Sequence, residues 1–427
     1  MSGPECVVRN GKWRDRLQDV LIGQGRIIEA MPADPGRRFE GLECIDAQGA
    51  LLLPGLIDGH THLREPGQEY KEDITSGLHA AAQGGFSRIL CMANTDPVND
   101  CAAVSTLILQ RAASSHGHGP FVHPVGALTM DLAGRELAPF YELAAAGCVA
   151  VSNDGVPVND NHLLRRAMEY SRGPGLLVID HCEDPGLAAG GMVNEGMISD
   201  MLGLAGQPSI SETLQVARDI LLAGYLNIPI HLAHISTRES VELIAQAKTR
   251  GVPVSAETCP HYLLWDEELV NGFSTLAKVN PPLRTADDVL ALRQAVRERV
   301  IDILVTDHAP HADFEKDAPF SQAPNGISGL DTALSMTWSL VQDQILTLDD
   351  LIRLWSSAPA SVYGFQPNSF TPGDPADICI FDPQASWTVN SETMASKGKN
   401  TPCLGQVLPG RVKSLLVQGR LVYEQTR

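Results

Sequence analysis

Hydrophobic and polar positions change rhythm twice along this chain. Over the first fifty residues, short apolar and polar runs alternate (Glu5 to Arg9, Leu17 to Ile22, Arg26 to Ala30), split by Gly and Pro. That period of two predicts strands and turns. The C-terminal stretch repeats it in ADICIFDPQASWTV and VKSLLVQGRLVYE. Between these flanks stand eight apolar runs: LLLPGLIDGHTH, FSRILCMANT, PFVHPVGAL, CVAVSND, LLVIDHCED, IPIHLAHIST, VPVSAETCPH and IDILVTDHAPH. Amphipathic segments such as EDITSGLHAAAQGG, SETLQVARDILLAGYL, SVELIAQAKTRG and DDVLALRQAVRERV separate them and predict helices.

Strand-like runs alternating with helices imply βαβ units and a parallel sheet. Eight such units suit an α/β fold of the (β/α)8 TIM-like barrel type better than an open doubly wound sheet. No GxGxxG follows the first run and no GxxxxGK[ST] occurs, so the nucleotide-binding alternatives lack their fingerprints. The expected organisation is a barrel over 54–370, with 1–53 and 371–427 pairing as one small discontinuous β-rich domain.

Composition narrows the partners. With 44% hydrophobic and 19% charged residues over 427 positions, the chain reads as an ordinary globular protein. Its net charge of −19 argues against nucleic acid and anionic membrane, while an anionic metabolite remains open where local cations override the global field. No stretch has the apolar length of a membrane span, and MSGPECVVRNGKWRDRLQDV lacks the basic start and apolar core of a secretory signal. Nine cysteines without a CxxC pair fit reduced thiols, and the expected location is cytoplasmic.

The chemistry gathers at the ends of the predicted barrel strands. All thirteen histidines fall between positions 60 and 311. His60 and His62 end the first run, Asp154 the fourth, His181 the fifth, His234 the sixth and Asp307 the eighth. A barrel aims such positions at one mouth. Residues i and i+2 of a strand share a face, which puts the alpha-carbons of His60 and His62 roughly 6.6 Å apart and both rings inward. Four imidazoles and two carboxylates exceed one tetrahedral ion but suit two zinc-class ions bridged by a carboxylate.

Taken singly, each residue has a plainer reading. His-X-His arises by chance, Asp154 in SNDG is ordinary turn chemistry, Asp307 can cap a turn, and Arg64 can form a surface ion pair. Recurrence in register at five strand ends favours a site. His79, His116, His118, His123, His162 and His231 fit no such pattern and are expected on the surface or in the core. The stretch 314–325, rich in Pro, Ala and charge, is the expected mobile segment.

Together, DGHTHLREPGQEYKED, CMANTDPVND, SNDG, DHCED, HLAHIST, SAETCPHYL, KVNPPLR and TDHAPH resemble the amidohydrolase superfamily, and within it the bacterial class I dihydroorotases. The resemblance implies a zinc enzyme holding one or two ions per subunit, with ligands at His60, His62, Asp154, His181, His234 and Asp307. It places substrate binding on Arg64, Asn94, Asn280 and His311, and proton transfer on Asp307. The implied reaction is the reversible interconversion of dihydroorotate and N-carbamoyl-L-aspartate in pyrimidine biosynthesis. A homodimer and a complex with aspartate transcarbamoylase are the protein partners it leaves open.

Hydantoinases, allantoinases and some dihydroorotases bridge their metals with a carboxylated lysine. This chain has no lysine between Lys71 and Lys248, which leaves Asp154 for that place. Two departures stand out. Asn325 in APNGISGL resembles hydantoinases, and Asn153 stands where many relatives carry a second aspartate. The alternatives are a hydantoinase-like cyclic amidase and a non-catalytic homologue that scaffolds aspartate transcarbamoylase. Such homologues typically lose ligands, and all six are present here.

Overall fold

The computed structural model describes residues 4–116 and 119–425, apart from the side chain of His116. The N-terminal strands are β1 (Cys6–Trp13), β2 (Arg16–Gly23), β3 (Arg26–Pro32), β4 (Glu43–Asp46) and β5 (Leu51–Pro54). The barrel strands follow: β6 (Leu56–Thr61), β7 (Phe86–Cys91), β8 (Phe121–Ala127), β9 (Ala150–Ser152) and β10 (Leu177–Asp180). A two-residue ladder of β11 (Val193–Asn194) and β12 (Gly206–Gln207) lies outside the barrel. The barrel resumes with β13 (Ile230–Leu232), β14 (Val254–Thr258) and β15 (Ile303–Leu304). The chain ends with β16 (Ile378–Thr388), β17 (Val407–Val417) and β18 (Arg420–Glu424).

Two large sheets result. The eight barrel strands run parallel in sequence order from β6 to β15. A bridge between Thr61 and His308 and the bond from His62 N–H to the His308 carbonyl (2.8 Å) draw the last strand to the first. Asp58 seals the same seam, since its buried carboxylate accepts from the Thr306 N–H at 3.0 Å. The second sheet joins both termini in the order β18-β17-β16-β5-β1-β2-β3, with β4 beside β1.

The run LLLPGLIDGHTH serves both sheets. Its LLLP forms β5 against β16, and its LIDGHT forms β6 against β7. Both surroundings are apolar, so hydrophobicity alone does not mark the change. Gly59 in β6 is required by contact, because a β-carbon there would meet the Tyr363 hydroxyl at 2.3 Å.

The predicted helices form between the strands. Ile74–Gln83 is capped by Asp73, whose carboxylate accepts from the Ser76 N–H, and its Ile74, Leu78 and Ala81 are buried. Ile210–Leu226, Arg238–Thr249 and Ala286–Arg297 match the other three, the last two capped by Thr237 and Thr285. One continuous core unites strands and helices of the barrel, and Cys6, Val8, Val20, Ile22, Leu52, Ile378 and Ile380 form a separate core in the terminal sheet. Among the described residues no helix is long and apolar enough to cross a membrane.

Candidate functional site

The barrel brings the strand-end residues to one place. His60 lies in β6 and His62 just beyond it, while Asp154, His181, His234 and Asp307 follow β9, β10, β13 and β15. All six are buried. Asp154 sits among the four imidazoles. Its Oδ1 lies 3.3 Å from His60 Nε2, 3.3 Å from His181 Nδ1 and 3.5 Å from His234 Nε2. Its Oδ2 faces His62 Nε2 at 3.5 Å. Asp307 Oδ1 approaches His62 Nε2 at 3.1 Å.

The imidazoles are oriented from behind. Glu257 on β14 takes His60 Nδ1 at 2.8 Å and His231 Nε2 at 3.0 Å. A carboxylate only accepts, so both rings donate to it, and His60 presents its other nitrogen to the site. Asn94 Oδ1 accepts from His62 Nδ1 at 2.8 Å and fixes that ring in the same way.

The electrostatics follow. Burial opposes ionisation of Asp154, yet His60, His181 and His234 hold its carboxyl well below the usual carboxylate range. Burial also disfavours a charged His60, but Asp154 and Glu257 raise it well above the ordinary imidazole value. His60 Nε2, the nitrogen turned towards Asp154, is buried without a hydrogen-bond partner among the described residues. A buried polar atom left unsatisfied is unfavourable, and a divalent cation there can take the place of the ring proton.

Two overlapping groups, His60–Asp154–His234 and His60–His62–Asp307, each keep their ligand atoms within 4.8 Å of one another. This donor set fits divalent metal. A third group, Asp180, Cys182 and Asp219, is already served by the Arg218 guanidinium, at 2.6 Å from Asp180 and 2.8 Å from Asp219.

The cluster opens into a cavity of about 220 Å³ lined by His62, Asp154, His181, His234 and Asp307, and by Arg64, Asn94, Asn280 and His311. Only His60 of the ten expected residues does not line it. Burial lowers the pKa of Arg64 although Asp307, Asp154 and Glu315 support its charge. Its Nε donates to the Pro310 carbonyl at 3.2 Å. Burial and the Arg64 charge push His311 down to about 3, so its imidazole is neutral, and its Nε2 donates to the Asn325 carbonyl at 2.9 Å. Asn280 is engaged with Glu183, a neighbour of His181, at 2.8 Å. Arg64, His234 and Asp307 have φ of +62°, +33° and +46°, a left-handed backbone that L-residues rarely adopt and that concentrates at functional sites.

Three further placements bear on the sequence reading. Asn153 bonds to Thr129 at its N–H (3.0 Å) and hydroxyl, and so holds the turn that presents Asp154. The stretch 314–325, expected to be mobile, is tied down. Lys316 donates to the Thr275, Lys278 and Pro324 carbonyls, and Lys278 donates to those of Phe320 and Ala323. Charge there serves to hold the backbone from inside, which composition does not reveal. Of the remaining histidines, His79 and His162 are exposed, His123 is half-buried and His231 is buried under the site; His118 and the His116 side chain lie outside the described residues.

Glu257 and Glu183 were missed from sequence. The signal for Glu257 was present: it is the one acidic residue in the strand VSAET, and a carboxylate inside a barrel needs a partner.

A family model described as "Dihydro-orotase-like" matches residues 49–240. A dihydroorotase of Geobacter metallireducens is 45% identical over 96% of each chain, and one of Syntrophus aciditrophicus is 46% identical over the same shares. The chain belongs to the dihydroorotase family. Within the wider amidohydrolase barrels, its backbone is similar to an L-hydantoinase from Arthrobacter aurescens, with a TM-score of 0.87 at 24% identity, covering 99% of this chain and 97% of that one. At that identity the likeness concerns the fold. A dihydroorotase-family chain with aspartate at the centre of the cluster is consistent with the absence of a lysine on β9, in AVS, or in the turn after it.

Proposed function

We propose that the protein catalyses the reversible interconversion of dihydroorotate and N-carbamoyl-L-aspartate, the cyclic-amide step of pyrimidine biosynthesis. The observation that carries the reading is the placement of Arg64 in the same cavity as the Asp154-centred cluster. An anion clamp stands beside a metal-ligating set, which matches a substrate with a carboxylate next to a cyclic amide.

His60, His62, Asp154, His181, His234 and Asp307 would hold one or two zinc ions. Bound there, zinc supplies Lewis acidity and an activated water. Arg64 grips the substrate carboxylate through its planar fork, and the neutral His311 ring, whose N–H is given to the Asn325 carbonyl, flanks it as part of the wall. Asn94 and Asn280 complete the polar wall while holding His62 and Glu183. In ring opening, Asp307 takes the proton released as water adds to the amide carbon and returns it to the departing nitrogen. In ring closure the same carboxylate works in reverse.

The barrel over 54–370 would form one folding unit and the paired termini another. Cytoplasmic location, a homodimer and docking to aspartate transcarbamoylase complete the proposal for this family member.

The experiment is an assay of dihydroorotate opening at alkaline pH, with bound zinc measured on the same sample. Turnover that vanishes on chelation and returns with zinc supports the reading. Zinc bound without turnover sinks the substrate assignment and directs the assay to hydantoins.

A further inference from the structure

The site is framed by a segment far away in sequence. Residues 396–400, SKGKN, precede β17 of the terminal sheet, yet they are packed against the loops that follow β6 and β15. At one end, Ser396 Oγ and the Lys397 N–H donate to Glu72, whose carboxylate also faces His308 Nε2 at 3.4 Å. Glu72 ends the stretch that begins at His60 and contains Arg64. At the other end stands Asn400, 3% exposed.

Asn400 is fully engaged. Its Nδ2 donates to the Ala309 carbonyl at 3.0 Å and the Gly326 carbonyl at 2.9 Å. Its Oδ1 accepts from the His311 N–H at 2.8 Å and lies 2.9 Å from the Ser328 hydroxyl, whose single proton is shared with the Gly398 carbonyl at 2.7 Å. Ala309, His311 and Gly326 all line the cavity. One amide side chain thus holds both strands of the loop that carries His311, at a fixed distance from the Asn325 carbonyl to which His311 donates. The arrangement uses two donors and two acceptor sites, which is the full capacity of an asparagine. Aspartate lacks the donors, and alanine lacks all four bonds.

Asn400 touches neither the metal-ligating set nor, on this geometry, a substrate. We propose that Asn400 is a positioning residue for substrate binding: it sets His311 and the 325–326 backbone opposite Arg64, so that the C-terminal flank determines the width of the anion clamp. This inference rests on the reading of Arg64 and His311 as the clamp. Misplacing a binding group by about 1 Å costs on the order of 10²-fold in well-ordered sites.

The test compares wild type with Asn400→Ala and Asn400→Asp for KM, kcat, bound metal per chain and amide hydrogen exchange over 309–328. The expected result is a KM for dihydroorotate raised about 10- to 100-fold. In the same variants kcat stays within about threefold, metal content is unchanged, and exchange rises in 309–328 alone. Unchanged KM with faster exchange assigns Asn400 a merely structural role and overturns the proposal, as does loss of kcat and metal together. Should Asn400→Ala fail to fold, Ser328→Ala removes the hydroxyl that Asn400 shares with the Gly398 carbonyl and is expected to raise KM by a smaller factor; no change in either surviving variant also overturns it. A wild type that opens another cyclic amide but not dihydroorotate defeats the functional reading alone, and the same KM-against-kcat split is then read on that substrate.

Discussion

Glu257 Oε1 lies 2.8 Å from His60 Nδ1, and the two residues stand 197 positions apart in the chain, on β14 and β6. The bond crosses the barrel interior and fixes which nitrogen of His60 faces Asp154. Because Glu257 also accepts from His231 and from the His234 N–H (3.3 Å), it orients residues of two strands at once. Glu257→Gln keeps the shape but offers an amide nitrogen to one of two donating rings. Metal affinity is expected to fall about 10- to 100-fold. Dialysis against graded chelator, followed by metal analysis, reads this directly; affinity equal to wild type would remove Glu257 from the assembly of the site.

Arg64 should be irreplaceable by lysine. A planar fork binds a carboxylate through two parallel bonds, and an ammonium does not. Arg64→Lys is expected to raise KM for dihydroorotate about tenfold and Arg64→Gln further, with kcat less affected. Turnover of a neutral hydantoin, if detectable, should change little. Equal losses on charged and neutral rings would show that Arg64 does not read the carboxylate.

Asp307 is assigned the proton transfer. Asp307→Asn cannot carry a proton between water and the amide nitrogen, and kcat should drop by about 10²- to 10⁴-fold. The five other ligands remain, so part of the bound metal should survive. Steady-state kinetics with metal analysis on one preparation checks both; kcat near wild type in a metal-replete Asp307→Asn protein refutes the role.

A pH effect on stability belongs to His123, away from the site. Burial and the nearby Arg88 push its pKa down to about 4, and its ring packs on Phe365 at 4.4 Å. The folded state therefore binds fewer protons than the unfolded state between about pH 6.5 and 4. Stability from this group is fully present above pH 6.5 and is lost progressively as pH falls through that window. His123→Phe removes the linkage, so its Tm should fall less than that of wild type between pH 7 and pH 5. Parallel Tm curves for the two proteins would contradict the assignment.

Reaction equilibrium offers a check independent of mutation. Ring closure turns an ionised carboxylate into an amide and takes up a proton, so cyclisation is favoured as pH falls. The ratio of dihydroorotate to N-carbamoyl-L-aspartate at equilibrium should rise about tenfold per pH unit across neutrality.

What the chain determined by itself was local and periodic. Eight apolar runs separated by helical periods suffice for a parallel barrel, because strand alternation and helix amphipathicity are properties of neighbouring residues. The same register placed His60, His62, Asp154, His181, His234 and Asp307 at strand ends, and a barrel has one mouth to receive them. Tertiary structure decided everything that depends on contact between distant segments. The division of LLLPGLIDGHTH between two sheets is invisible to periodicity, since both sheets bury apolar side chains. That Lys278 and Lys316 pin 314–325 left no mark in the sequence, because their acceptors are backbone carbonyls, which carry no residue identity. Glu257 and Asn400 act through partners far from them in sequence, so only the closed fold reveals a carboxylate or an amide engaged on all sides.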